Sequence, residues 1–468
     1  MNKIESINYF NKVALERDKW KNRNRYYHQD IEKLFNFLVP ENSSVLEIGC
    51  GTGDILSRLK SEKKKGIDIS PEMISVAKNK YPGLNFDTGD AENLSLNEKY
   101  DYIILSGIVG SLLDIQKTFQ ELHKVSYSKS RIIITYYNYL WEPILKLAEK
   151  LHLKMPQPWQ NWVSSPDLEN FFNLSGFEVI KKGNRLLLPK YIPIISTIFN
   201  RYLAKFPIIK ELCLTYYMVV RPYPKPSDSE PVVSIIVPAR NEAGNLEPLI
   251  RRIPSLGSHT EIIFIEGHSK DNTLEEAQRI KNKYSDKDIK VFVQDGSGKG
   301  DAVRKGFDIA KGDVLMILDA DLSVFPEDVS KFYEALIMER GELINGCRLV
   351  YPLEKESMRF LNLLGNKFFS MMFSWLLDQK VKDTLCGTKA LWKKDYQKIK
   401  AGRKFFGDFD PFGDFDLLFG AAKLNFKIID LPIRYQPRTY GSTNISRFRH
   451  GWLLLEMCFF AMRKIKFI

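Results

Sequence analysis

The stretch RPYPKPSDSEP, residues 221–231, sets four prolines between two apolar, β-like runs, TYYMVV and VVSIIV. Proline fixes its own φ and brings no amide to a sheet ladder, so the two runs cannot be one continuous strand. One hydrophobic core must close before this stretch and another must open after it. With 468 residues and 44% hydrophobic content, each side is long enough to do so. The expected organisation is a first domain at 1–222, a linker at 223–230, a second domain at 231–446 and an amphipathic, membrane-facing segment at 447–468.

The first half alternates strand and helix. SVLEIGCGTG (44–53) runs from an apolar strand into Gly49, Gly51 and Gly53 and then into the helical pattern DILSRLK. A glycine turn at that junction lets backbone approach a ligand and aims free N–H groups at it. Asp68 ends a second strand in KGIDIS, Asp90 follows a third in LNFDTGDAENL, and YDYIILSG makes a fourth. An acid about 20 residues past the glycine turn is placed to hold a ribose diol. Helix-length connections between the strands imply parallel crossovers. The ligand is then a dinucleotide or a single nucleoside.

Glu47 inside the first strand, the tight G-x-G-x-G, and Asp90 followed by Ala91 and Glu92 together resemble a class I S-adenosylmethionine-dependent methyltransferase, over roughly residues 20 to 220. The resemblance implies a doubly wound, Rossmann-like sheet. It sets Glu47, Gly49, Gly51 and Gly53 around the cofactor's methionine end, Asp68 on the ribose and Asp90 near the adenine amino group. GFEVIKKG and CLTYYMVVRP would supply its antiparallel edge pair. The loop SGIVGSLLD lacks the Asn/Asp-Pro-Pro-aromatic signature of amino-group methylation, so nucleic acid is not an expected partner. The aromatic stretches YYNYLWEP (136–143) and PQPWQNWV (156–163) read either as walls of an acceptor pocket or as ordinary packing.

In the second half three successive strands end in polar residues. PVVSIIVPARNE stops at Pro238, Arg240 and Glu242; EIIFIEGHSKDNT ends in Glu266; and a glycine-lysine loop with Lys299, Asp301 and Arg304 precedes a strand ending in Asp319 and Asp321. Ligands of open α/β sheets sit at carboxyl strand ends. Paired carboxylates there suit Mg²⁺ or Mn²⁺, which take oxygen ligands together with substrate phosphates.

These residues, with NGCRL, DTLCGTKALWKK, FGDFDLLFG and RTYGSTNIS in order, resemble the GT-A fold of family 2 glycosyltransferases, nearest the polyprenyl-phosphate branch, over residues 231 to about 447. The resemblance implies a nucleotide-sugar donor: Pro238, Arg240, Glu242 and Glu266 near base and ribose, Lys299, Asp301 and Arg304 near the diphosphate, and Asp319 and Asp321 on the metal. One departure is EGHS where the family has DDGS, which leaves the donor base open; His268 in that loop is a turn residue or a proton shuttle.

The acceptor separates two mechanisms. A hydroxyl needs a general base, for which Asp414 and Asp416 are candidates. A polyprenyl phosphate, already largely ionised with a second pKa of about 6, needs cationic positioning instead, for which Arg348, Lys389, Arg434, Arg438 and Ser442 are candidates. The apolar stretches 360–377 and 451–462 are too polar or too short to span a bilayer needing about 20 residues. Near the basic clusters RFRH and RKIK they suit an interface, with buried core helices as the alternative.

A net charge of +12 is compatible with nucleic acid, an anionic membrane face or phosphorylated substrates and does not choose among them. Five cysteines without C-x-x-C spacing suggest neither zinc nor disulfides, and MNKIESINYF has no signal-peptide core, so the expected location is cytoplasmic, peripheral at the inner membrane face. Histidines 28, 123, 152, 259 and 450 read as structural. The combined expectation is a bifunctional methyltransferase and glycosyltransferase. The alternatives are a soluble glycosyltransferase acting on a hydroxyl of a small molecule or polysaccharide precursor, or one half serving as a non-catalytic module.

Overall fold

The apolar runs of the first half become strands, the central ones buried on both faces. They are β1 (Val45–Ile48), β2 (Lys64–Asp68), β3 (Asn85–Thr88), β4 (Tyr102–Ser106), β5 (Arg131–Tyr137), β6 (Phe177–Arg185) and β7 (Thr215–Pro222). Ile103 and Leu105 enter one core with Leu46, while Ile104 enters the other with Val45. That alternation is what a sheet covered on both sides requires. The Arg25–Leu38 helix covers one face because Ile31, Leu34, Phe35 and Leu38 fall on a single helical stripe. The order is β3-β2-β1-β4-β5-β7-β6, parallel through β5, with β7 antiparallel to both β5 and β6. The edge pair expected from GFEVIKKG and CLTYYMVVRP is present.

The computed structural model describes residues 2–351, 360–405, 413–438, 440 and 447–467, with backbone alone for 360–363, 414 and 447–450. They divide into two units, Met1–Tyr223 with Phe467–Ile468, and Pro224–Lys466.

The second unit has its own sheet of β8 (Val232–Ala239), β9 (His259–Glu266), β10 (Asp288–Val293), β11 (Val314–Ile317), β12 (Leu343–Cys347), β13 (Lys389–Trp392) and β14 (Ile428–Pro432). Its order is β10-β9-β8-β11-β13-β12-β14. β8 to β11 are mutually parallel, and β13 runs antiparallel to its neighbours β11 and β12. Ile235 and Val237 face one core, Ile236 the other. Both units therefore have the expected α/β architecture. The helices Phe360–Leu377 and Arg447–Ala461 share one core through Phe373, Leu376, Leu454 and Cys458, while Met371, Trp452 and Phe459 face outward. No helix among the described residues is long and apolar enough to cross a membrane. All five cysteines are free and buried.

Candidate functional site

In the first unit the turn after β1 takes positive φ at Gly49 (76°), Gly51 (52°) and Gly53 (80°). A side chain on Gly49 would start 2.3 Å from Ile108, whereas Gly51 has nothing within 4 Å of a Cβ position and faces open space. The turn is tied to β2: Asp68 Oδ2 accepts from the Gly51 amide at 2.8 Å and Oδ1 accepts from Ser70 at 3.0 Å. Burial pushes the Asp68 carboxyl up, and these two amides act against that. Asp90 receives Lys3 Nζ at 2.6 Å and the Glu92 amide at 2.9 Å.

A cavity of about 120 Å³ brings Gly49, Gly51, Asp68 and Asp90 together, with Lys3 and Arg17 added from the N-terminal helices. A larger one, about 650 Å³, shares Gly49, Gly51 and Arg17 with it and takes in Glu47, His28 and Trp141. Gly53 lines neither; it caps the Asp54–Arg58 helix. Glu47 is 2% exposed, Oε2 lacks a hydrogen-bond partner, and burial pushes its carboxyl up to about 8. His28, read from sequence as structural, is on the larger cavity's wall. Burial, with Lys21 and Arg17 adding to it, pushes its imidazole down to about 3, which keeps it neutral. Sequence reasoning missed Lys3 and Arg17; their only signal was a basic N-terminal run with no motif.

In the second unit the loops after β8, β9 and β11 meet. Asn241 has φ 59° and His268 φ 55°. The Asn241 amide donates to Ser269 Oγ (3.0 Å), the Lys270 amide to Asn241 Oδ1 (2.7 Å) and the Glu242 amide to Thr273 Oγ1 (2.9 Å). Glu266 accepts from the Ser269 amide, and β8 pairs Pro238 with Ile265 and Ala239 with Glu266, so Pro238 and Glu266 end adjacent strands with Arg240 and Glu242 in the loop that follows.

Lys299 Nζ is 2.5 Å from Asp319 Oδ1. Burial works to raise the Asp319 carboxyl; Lys299, with Arg348 and Lys389 contributing, outweighs it and holds the group below the ordinary carboxylate range. A Cβ on Gly387 would strike this pair, and one on Gly413 would lie 2.7 Å from Gly300, so both glycines permit close approach. Asp301 turns back to accept from the Gly296 amide at 2.8 Å, closing its own glycine loop. Arg304 shares its helix, Lys299–Ile309.

Asp321 Oδ1 accepts from the Ser323 amide (3.0 Å) and Oδ2 faces Arg438 at 2.6 Å. Arg438 is brought there by the segment after β14: Tyr435 bridges Val324, the Gln436 amide donates to Ser323 at 3.0 Å, and its side chain donates to Leu322 at 2.6 Å. Burial pushes Glu242 up to about 7; Asn245 and Arg438 lower it, and Asp321 and Asp319 raise it further.

Other expected positions are occupied differently. Arg348 binds Asp383 through Nε (2.8 Å) and Nη2 (2.9 Å) and stacks over Tyr435. Lys389 is fully buried and donates to the Cys386 carbonyl. Their side chains are engaged within the fold, and both lower the Asp319 carboxyl through their charge. Asp416 pairs with Arg403 at 2.6 Å and is 8% exposed, a seat that suits an anchor better than a base. Arg434 lies over Tyr351. Asp414 begins the helix after Gly413, and its side chain, like Ser442, lies outside the described residues. No group of three or more His, Cys, Asp or Glu residues among the described residues could hold a metal by itself. The two acids fit a cation that also takes oxygens from substrate phosphates.

Two α/β sheets, each with acids and glycine turns at its carboxyl ends, define a pair of transferase domains. Residues 40–175 match a family model described as a methyltransferase domain, and residues 234–399 match glycosyl transferase family 2. The chain thus joins a methyltransferase domain to a family 2 glycosyltransferase domain that resembles polyprenyl-phosphate sugar transferases. A dolichol-phosphate mannosyltransferase of Pyrococcus furiosus is 31% identical over 46% of this chain and 59% of its own length. The glycosyltransferase AglJ of Haloferax volcanii is 28% identical over 47% of this chain and 69% of its own. The match therefore spans less than two thirds of the Pyrococcus protein. A methyltransferase structure from Thermotoga maritima aligns with TM-score 0.37 and 19% identity over 46% of this chain and 99% of its own.

Proposed function

We infer that the second unit transfers a sugar from a UDP- or GDP-linked donor to a polyprenyl phosphate, and that the first unit transfers a methyl group from S-adenosylmethionine. The observation that carries the first half is Arg438 seated on Asp321 and Lys299 on Asp319, two residues apart in sequence: two acids each held by a cation can exchange partners when phosphates arrive. Lys299 and Arg438 then turn to phosphate oxygens, and Asp319 and Asp321 are left for a divalent ion, Mg²⁺ or Mn²⁺. Such an ion would offset the charge on a departing diphosphate. Arg438 and Arg434 orient an acceptor that is already ionised, with Ser442 a further candidate, and Asp414 remains the candidate base for a hydroxyl acceptor.

For the methyltransferase unit, the cavity at Gly49, Gly51, Asp68 and Asp90 fits a nucleoside with an anion-seeking diol and amine. Glu47, Gly49 and Gly51 flank the methionine end, Gly53 serving only as the cap of the following helix, and the larger cavity takes the acceptor. The domain limits proposed from sequence and a peripheral position at the inner membrane face complete the reading.

Radiolabelled UDP- and GDP-sugars offered with polyprenyl phosphate and Mn²⁺ should give a labelled lipid with the native chain and almost none with Asp321→Asn. Calorimetry should show S-adenosylmethionine binding that weakens by about 1.5–3 kcal/mol in Asp68→Ala, which loses a charge-assisted partner for the diol. No lipid product with any donor, or unchanged cofactor affinity in Asp68→Ala, would reject the corresponding half.

A further inference from the structure

Two helical stripes of the first unit turn apolar side chains to solvent. Along the Glu142–Lys150 helix, Leu140, Ile144, Leu147 and Leu151 recur at intervals of four, three and four residues, and Leu145 alone of the helix is buried. The 186–214 connection between β6 and β7 repeats the pattern with Ile195, Ile198 and Tyr202, followed by Phe206. Each of these eight side chains is at least 42% exposed, and Ile194 and Ile208 beside them reach 75% and 86%. A surface helix ordinarily turns such a stripe toward the core. Here polar groups hold the inner side: Asn200 exchanges two 2.8 Å bonds with the Leu188 backbone, and Ser196 Oγ donates to the Lys190 carbonyl at 2.9 Å.

The ends of the two segments are tied together. Asn138 Nδ2 donates to the carbonyls of Glu211 and Cys213 (2.8 and 2.9 Å), and Trp141 Nε1 donates to Leu212 at 2.9 Å. In the connection Lys190 and Arg201 are exposed, whereas Lys205 is buried and Lys210 pairs with Glu211 at 3.7 Å. Apolar stripes flanked by the exposed cations Lys190 and Arg201 are complementary to acyl chains beneath anionic headgroups. The 650 Å³ cavity shares residues with this face: Ile144 and Leu153 come from the first stripe's helix and its end, Pro189 and Lys190 from the root of the connection.

We propose that this face of the first unit lies on an anionic lipid surface and that the methyl acceptor is an amphipathic molecule delivered from it into the larger cavity. The acceptor clause rests on the methyltransferase reading; the lipid clause does not.

The test is flotation of the full chain with vesicles. Binding should be about tenfold stronger when phosphatidylcholine contains roughly a third phosphatidylglycerol, and should weaken as salt rises from about 0.1 to about 0.5 M. Leu147→Asp and Ile198→Asp should each lower it about tenfold or more. Ile208→Asp repeats the measurement at a side chain too exposed to affect folding, and calorimetry with S-adenosylmethionine checks the variants. Wild-type lipid binding in all three variants would overturn the proposal, whether Phe459→Asp then abolishes binding or light scattering shows that the stripes pair two copies of the chain. Absence of cofactor binding in the native chain would remove only the acceptor clause.

Discussion

One guanidinium spans two loops of the second unit: Arg438 Nη2 lies 2.6 Å from Asp321 and Nη1 lies 3.3 Å from Glu242. A carboxyl pushed up to about 7 thus sits beside the acid pair, restrained by a cation borrowed from the far end of the domain.

Donor binding should therefore change with pH near 7. Glu242→Gln should flatten that profile, and Arg438→Ala should move its midpoint upward by about one pH unit, because the favourable charge is gone. Calorimetric titration of donor across pH checks both shifts.

Lys299 competes for the carboxylate assigned to the metal. Lys299→Ala should raise the affinity for free Mn²⁺ severalfold while weakening donor binding about tenfold or more, since the diphosphate loses its cation. Manganese titration by electron paramagnetic resonance, with and without nucleotide, reads the two opposite changes.

Glu47 offers a stability test. A carboxyl whose folded value is raised from 4.5 to about 8 favours the fold below pH 4.5, and that contribution disappears as pH climbs through 8. Glu47→Gln should gain on wild type between about pH 5 and pH 9, by up to about 5 kcal/mol. Chemical denaturation at several pH values measures the trend; a flat difference would mean that Glu47 is already ionised at pH 5.

Asp416→Asn should cost stability as well as rate, about 1–2 kcal/mol, because the half-buried Arg403 would lose its counter-charge. If thermal unfolding is unchanged while transfer falls about 10²-fold or more, Asp416 acts as a base after all.

The strands and the acid pair were legible because apolar runs ending in glycine or acid are local signals. The seat of Arg438 was not, since it depends on Tyr435 and Gln436 being stitched to residues 322–324, more than 100 positions away. The partner of Arg348 was not legible for the same reason: Asp383 is 35 residues on. Lys3 and Arg17 reach the first cavity from helices that carry no motif. The outward stripes escaped because periodicity fixes spacing without saying which side faces the core.

The burial of every cysteine has a practical consequence. Cys50, Cys213, Cys347, Cys386 and Cys458 all have thiols pushed up by burial, so little thiolate forms at neutral pH and alkylating reagents meet almost no background. The native chain is in effect already a label-free background: a cysteine placed at Ile198 or Ile208 would carry a fluorophore or spin probe alone, reporting directly whether that side chain sits in water or among acyl chains.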